Sequence, residues 1–237
     1  MERRDFLKVV GAGAAVVVVK PSTIDQTLVA ADGSMYKAYS KVKLVNSDGD
    51  PIKQSDLTKR VNYVFNYPFA GSTCLLVNLP EKTSSKITLK NEFDVEYVWN
   101  GGIGKGNTLV AYSGICPHQL THINKQESFI TYRNKGEKFE SMIVCDGHTT
   151  LYDPLKGCKV VEGKGRQPFA SIVLEEDDDG SLWAVGVLGP DKFHDFFKNF
   201  RREFKDQFGG KRRAKKKVTS KATVLLMSEY TEEIIQL

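Results

Sequence analysis

Ile115-Cys116-Pro117-His118 and Val144-Cys145-Asp146-Gly147-His148 are the two stretches that decide this chain. Each places one thiol and one imidazole almost side by side, and 26 residues lie between His118 and Cys145. Two thiolates and two neutral imidazoles suit a two-iron, two-sulfide cluster with the sulfurs on one iron and the nitrogens on the other. Neutral imidazoles in place of anionic thiolates leave the cluster less negative. It then accepts an electron more readily, in a window of roughly −150 to +300 mV. Each imidazole keeps a ring nitrogen that can gain or lose a proton, so electron and proton transfer are coupled. A structural zinc site is the plain alternative. Zinc also takes two Cys and two His, but its usual motifs pair Cys with Cys and His with His at wider spacing.

The surroundings of the boxes extend the pattern. Leu109-Val110-Ala111-Tyr112-Ser113-Gly114-Ile115 runs into the first, and Thr149-Thr150-Leu151-Tyr152-Asp153-Pro154 leaves the second. Gly157, Lys159, Val160, Val161, Gly163 and Pro168 follow, and later Asp179-Gly180-Ser181-Leu182-Trp183-Ala184-Val185-Gly186. Over about residues 60–190 this order resembles the Rieske subunits of cytochrome bc-type quinol-oxidising complexes and their archaeal relatives.

The resemblance implies one [2Fe–2S] cluster. Cys116 and Cys145 would hold the inner iron, and His118 and His148 the outer, more exposed one. It implies that Thr150 stands where a hydroxyl bonds a bridging sulfide. Tyr152 would stand where a tyrosine hydroxyl bonds a ligand-cysteine sulfur. Such donors stabilise the reduced, more negative cluster and raise its potential. It also implies that His148 contacts quinol and accepts its proton.

Three departures stand out. The family's two cluster loops are tied by a disulfide, and Thr121 and Gly147 occupy those positions here. The remaining cysteines, Cys74 and Cys158, lie elsewhere and read as free and buried. Gln119 replaces a shielding leucine, and Lys164 and Arg166 stand where the family's loop over the cluster has prolines. A looser, more polar rim follows.

The 237 residues fit one domain with appendages. Composition is globular, 41% hydrophobic against 27% charged, and the net charge of +5 gathers near the C-terminus rather than forming a nucleic-acid face. At the N-terminus, Arg3-Arg4-Asp5-Phe6-Leu7-Lys8 precedes the apolar run Val9 to Val19 and Lys20-Pro21. This resembles a twin-arginine export signal, suited to cargo that crosses folded with its cluster in place. Eleven apolar residues are short for a span and match a signal core. A helix from Phe6 to about Ala30 reaches across if its polar residues snorkel. The resemblance favours retention as an anchor at residues 1–30, with a tether at 31–35 and the cluster-bearing head on the outer face of the cell membrane.

From Tyr36 the pattern is short alternating strands separated by Gly, Pro and Asn. It predicts an all-β, antiparallel architecture over 36–190. The resemblance specifies a Rieske-type sandwich with a small cluster-binding subdomain at about 113–158. Asn134-Lys135-Gly136 reads as a hairpin turn between the boxes. Glu176-Asp177-Asp178-Asp179-Gly180 reads as a second turn, since it lacks the ligand pattern of a calcium loop. Beyond residue 190, Phe193, Phe196, Phe197, Phe200, Phe204 and Phe208 recur at helical spacing, closed by Gly209-Gly210 and a basic stretch from Lys211 to Lys217. The amphipathic helix either packs on its own sheet or lies at an interface with lipid or an acidic partner.

The leading functional reading is an electron-transfer subunit, not a catalyst alone. It would pass electrons from quinol to a cytochrome beside cytochrome b-type and cytochrome c-like subunits. The alternative is the Rieske small subunit of a molybdenum oxidoreductase such as arsenite oxidase. A ring-hydroxylating oxygenase would need a second iron on two histidines and a carboxylate, and only His122 and His194 remain for it.

Overall fold

The computed structural model describes residues 35–237. The expectations for the twin-arginine segment, the anchor helix and the tether up to residue 34 lie outside the described residues. In the first half of the chain the strands are β1 (Tyr36–Val45), β2 (Tyr63–Asn66), β3 (Thr73–Asn78), β4 (Ile87–Lys90), β5 (Glu96–Trp99), β6 (Leu109–Ser113) and β7 (Glu127–Ser128). In the second half they are β8 (Ile130–Tyr132), β9 (Ile143–Cys145), β10 (Thr150–Asp153), β11 (Lys159–Glu162), β12 (Ser171–Glu176), β13 (Leu182–Leu188), β14 (Lys221–Thr223), β15 (Leu225–Leu226) and β16 (Glu233–Ile234). The helices α1 (Phe193–Asn199), α2 (Arg201–Phe208), α3 (Lys211–Ala214) and α4 (Met227–Tyr230) all lie beyond residue 190. None of the described helices is long and apolar enough to cross a membrane.

Eight strands form the main sheet in the order β14-β1-β13-β12-β6-β3-β2-β15, and its far ends curl toward each other. A separate sheet, β11-β10-β9-β8, carries the second box. The all-β expectation is what the chain adopts.

The central strands explain how the two sheets are joined. Cys74-Leu75-Leu76-Val77 in β3 and Leu109-Val110-Ala111-Tyr112 in β6 are apolar without a break and buried throughout. Successive side chains of a strand point to opposite faces. Cys74, Leu76, Leu109 and Ala111 therefore enter one core with Phe193, Phe196, Phe197 and Phe204. Leu75, Val77, Val110 and Tyr112 enter the other, with Cys116, Ile143, Cys145 and Tyr152. Helices α1 to α3 cover one face of the main sheet, and the cluster loops with their sheet and α4 cover the other.

The phenylalanine stripe thus packs on the protein's own sheet. Its period spans two helices rather than one, broken at Phe200, whose backbone (φ −99, ψ 39) leaves the helical region. Gly209 ends α2 in the left-handed conformation (φ 67), where its N–H and that of Gly210 close back on Lys205 and Phe204 carbonyls. The chain then returns to strand. Parallel β14 extends the main sheet beside β1, β15 pairs with β2, and β16 pairs with β7 between the two boxes.

Both turns form, the first inside a longer loop, since strand resumes only at Ile143. Glu137 N–H donates to the Asn134 carbonyl around Gly136 (φ 83), and Gly180 N–H donates to Asp177. Lys41 pairs with Glu175 and Asp177 beside the second turn.

Candidate metal centre

The first box sits on a loop closed on itself. Cys116 N–H donates to the Thr121 carbonyl at 2.7 Å and Leu120 N–H to the Cys116 carbonyl at 3.0 Å, while Ile115 bridges His122. Gly114 starts this loop because nothing larger fits: a Cβ there would lie 2.7 Å from the Thr73 carbonyl oxygen. The second box is the turn of a hairpin. Cys145 ends β9 directly opposite Thr150 of β10, so Asp146 to Thr149 make the connection.

These two loops bring the four candidate ligands together in two pairs. Cys116 and Cys145 are buried (2% and 1% exposed), and each thiol shifts the other's hold on its proton. The His118 and His148 rings stand edge to face, 4.9 Å between centroids. His118 is half-buried and His148 exposed. The sulfurs therefore lie inward and the imidazoles outward.

The sulfurs rest in a cradle of donors. The Cys145 thiol draws Cys116 down to about 7, against the effect of burial, and the backbone N–H groups of His118 and Gln119 and the Tyr152 hydroxyl assist. Cys145, as the partner that keeps the proton, is pushed up, while the Gly147 N–H supports its sulfur. Two sulfurs sharing a proton form a pair that a metal cation takes over by displacing it. Tyr152 is fully buried, its hydroxyl 3.7 Å from Cys116 Sγ. Burial first, then the nearby Cys116 charge, pushes its phenol far up, so it stays protonated. Thr150 is buried too. Its Oγ1 accepts from Lys164 N–H at 3.3 Å and keeps its proton for another acceptor.

The donor set fits a two-iron cluster. Once both thiols had lost their protons, two buried sulfurs and two imidazoles toward solvent would supply two protein donors per iron.

The remaining candidates are accounted for. Cys74 and Cys158 are free and buried, and the Cys74 thiol donates to the Tyr67 carbonyl at 3.0 Å. His122 sits between the Phe196 and Phe200 rings, with Nδ1 2.9 Å from the Leu120 carbonyl and Nε2 2.9 Å from both Glu203 oxygens. His194 is exposed on α1, so the two histidines share no site. Burial holds the His118 imidazole below its ordinary range for protonation, and the charges of His148, Lys164 and Arg166 add to this.

Sequence reasoning missed one buried pair at the centre. Arg133 Nη2 donates to both oxygens of Asp146 at 2.7 and 2.6 Å, both side chains being shielded from water. The N–H of Leu237 reaches the same carboxylate at 3.1 Å. The only signal was an aspartate between the ligands of the second box, and its partner lies 13 positions away.

No family model matches the chain. In structure it is similar to the soluble domain of the Rieske protein II (soxF) from Sulfolobus acidocaldarius, at 23% identity over 63% of this chain and 78% of that chain, with a TM-score of 0.43.

Proposed function

We propose that the protein is a Rieske-type electron-transfer protein holding one [2Fe–2S] cluster on Cys116, Cys145, His118 and His148. One observation carries this reading: two buried sulfurs lie on two loops whose imidazoles, one half-buried and one exposed, stand edge to face. Bound there, the cluster supplies a one-electron couple above that of all-cysteine ferredoxins. The chain's own part is to hold it and set its surroundings. Cys116 and Cys145 bind below the surface, where water is excluded. Tyr152 aims a protonated hydroxyl at Cys116 Sγ, and Thr150 offers a second. His148, the exposed imidazole, receives the hydrogen bond and proton of quinol.

In this reading the protein is the subunit that passes electrons from quinol to a cytochrome in a membrane respiratory complex. It sits on the outer face of the cell membrane beside cytochrome b-type and cytochrome c-like subunits. Purified protein is expected to contain two irons and two acid-labile sulfides, with the reduced-state electron spin resonance of mixed Cys/His ligation. One zinc and no sulfide would overturn the reading. A membrane fraction that holds this protein together with a cytochrome b supports the quinol-oxidising complex.

A second reading, the small subunit of a molybdenum oxidoreductase, draws on the rim. Lys164 and Arg166 make the cluster edge charged rather than apolar, which favours a protein neighbour over a lipid-soluble quinol. Co-purification with a large molybdenum protein selects it.

A further inference from the structure

The segment Gly163-Lys164-Gly165-Arg166-Gln167 crosses beside the second box, and its alternation is enforced by contact. A Cβ on Gly163 would lie 2.7 Å from the Thr149 carbonyl oxygen, and one on Gly165 would lie 2.7 Å from the Tyr152 hydroxyl. Both glycines therefore press on β10 where no side chain fits. Gln167 anchors the far end, buried, its Oε1 accepting from Glu92 N–H at 3.1 Å. With the glycines and Gln167 fixed inward, Lys164 and Arg166 are held outward, and both are exposed.

These two cations flank a groove of about 570 Å³ whose other wall is Pro117 and His118. Glu92 is the one carboxylate lining it, and Lys192 Nζ already pairs with that carboxylate at 2.7 Å. Lys164 and Arg166 make no ion pair among the described residues. Glu162, just before the loop, is exposed but does not line the groove. The facing wall holds a candidate cluster ligand, and the rim carries two uncompensated positive charges.

We propose that this groove is the docking site of an acidic one-electron redox protein, whose carboxylates meet Lys164 and Arg166 beside His118. The inference rests on the cluster reading above and deepens it by naming the partner's chemistry. No bond forms or breaks. One electron leaves the reduced cluster, and the docked acceptor is reduced by one. Two features point to a protein rather than a small anion. The cations stand on an exposed rim, not in an enclosure, and Arg presents a planar fork suited to a fixed carboxylate. Charges of this kind act mainly on the rate of encounter, and salt screens them.

The test uses the full chain with iron and sulfide content measured first, since a chain that loads neither fails the cluster reading and takes this inference with it. The reduced protein is then mixed in stopped flow with hexacyanoferrate(III) and, separately, with tris(phenanthroline)cobalt(III), across ionic strength. The expected result is a rate that falls with salt for the anion and rises for the cation. Lys164→Gln with Arg166→Gln should slow the anionic reagent about tenfold at low salt and flatten its salt slope. The visible spectrum of that double variant should stay that of the parent. A loaded protein whose rates ignore reagent charge, or a double variant with an unchanged slope, overturns the inference alone. A second readout does not depend on turnover: anisotropy of a labelled oligoglutamate peptide should rise with the parent chain and not with the double variant. Citrate at constant ionic strength provides the third arm. Saturable blocking by citrate identifies a small-anion pocket and overturns the protein-docking form. Absence of such blocking supports it.

Discussion

The Thr121 side chain lies directly over the α-carbon of Gly147: a Cβ built on Gly147 would sit 3.5 Å from Thr121 Cβ and 2.8 Å from its Oγ1. The two cluster loops thus meet here through two residues that cannot cross-link. A Cβ separation of 3.5 Å is within the range of a disulfide, and the 2.8 Å approach is to the atom a cysteine sulfur would replace. Thr121→Cys with Gly147→Cys should form a bridge, and closing a loop of this size should stabilise the chain by about 3 kcal/mol. The denatured double variant should show four free thiols without reductant and six with it, from the four native cysteines plus two. Six thiols in both samples would refute the geometry.

The Arg133–Asp146 pair lies inside the second box's support, and its energetics are those of a buried charge pair. Arg133→Met strips the partner from a fully shielded carboxylate and should cost about 3–5 kcal/mol in urea denaturation. Replacing both residues by apolar ones of similar size should recover most of that loss. If the single and double variants are equally stable, the pair contributes nothing of this kind.

Tyr152→Phe removes the hydroxyl that lies 3.7 Å from Cys116 Sγ. A neutral donor to sulfur contributes about 1 kcal/mol net, so the potential of the loaded protein should fall by about 40 mV for a one-electron couple. Iron content should stay the same. Redox titration followed by visible absorption makes the comparison, and an unshifted midpoint would show that the hydroxyl does not serve the sulfur.

Stability should decline in alkaline solution for a reason set by burial. Burial pushes the thiols of Cys74 and Cys158 well above their ordinary range. Above about pH 8.5 the unfolded chain releases these protons while the folded chain keeps them. The unfolded state then binds fewer protons, so stability is full below that pH and is lost as pH rises toward the folded values. Each group removes about 1.4 kcal/mol per pH unit in that window. The same trend continues from about pH 10 through the buried, raised phenols of Tyr67 and Tyr112. Denaturation midpoints between pH 8 and 10 should fall less steeply in Cys74→Ala with Cys158→Ala than in the parent.

The C-terminal segment ties the first loop's exit to the second box. Glu232, Glu233 and Ile235 N–H groups donate to the carbonyls of Lys125, Gln126 and Ser128, and Leu237 N–H donates to Asp146. A chain ending at Tyr230 should lose about 1–3 kcal/mol. Its Asp146 amide, which donates to Phe129 at 2.7 Å, should exchange faster with solvent water. Exchange at β3 and β6 should be unaltered, and equal protection at Asp146 in both chains would show that the segment does not brace the box.

The sequence by itself determined the candidate ligands and the scaffold. Boxes of three and four residues place a thiol and an imidazole on one loop whatever the rest does, and the unbroken apolar runs of β3 and β6 announce strands buried on both faces. Glycines at Gly136, Gly180 and Gly209 mark turns and a helix end, because positive φ is free there. Tertiary structure alone decided the rest. Strands of two or three residues, such as β14 to β16, carry no readable period, so their partners choose them. The break at Phe200 answers to packing rather than to helix spacing. Arg133 with Asp146, His122 with Glu203 and Thr121 over Gly147 are contacts between distant positions, and no local pattern encodes which side chain will face which. Even the cationic rim divides this way. Lys164 and Arg166 were legible as an unexpected pair, but only the press of Gly163 and Gly165 against β10 turns both toward solvent beside His118.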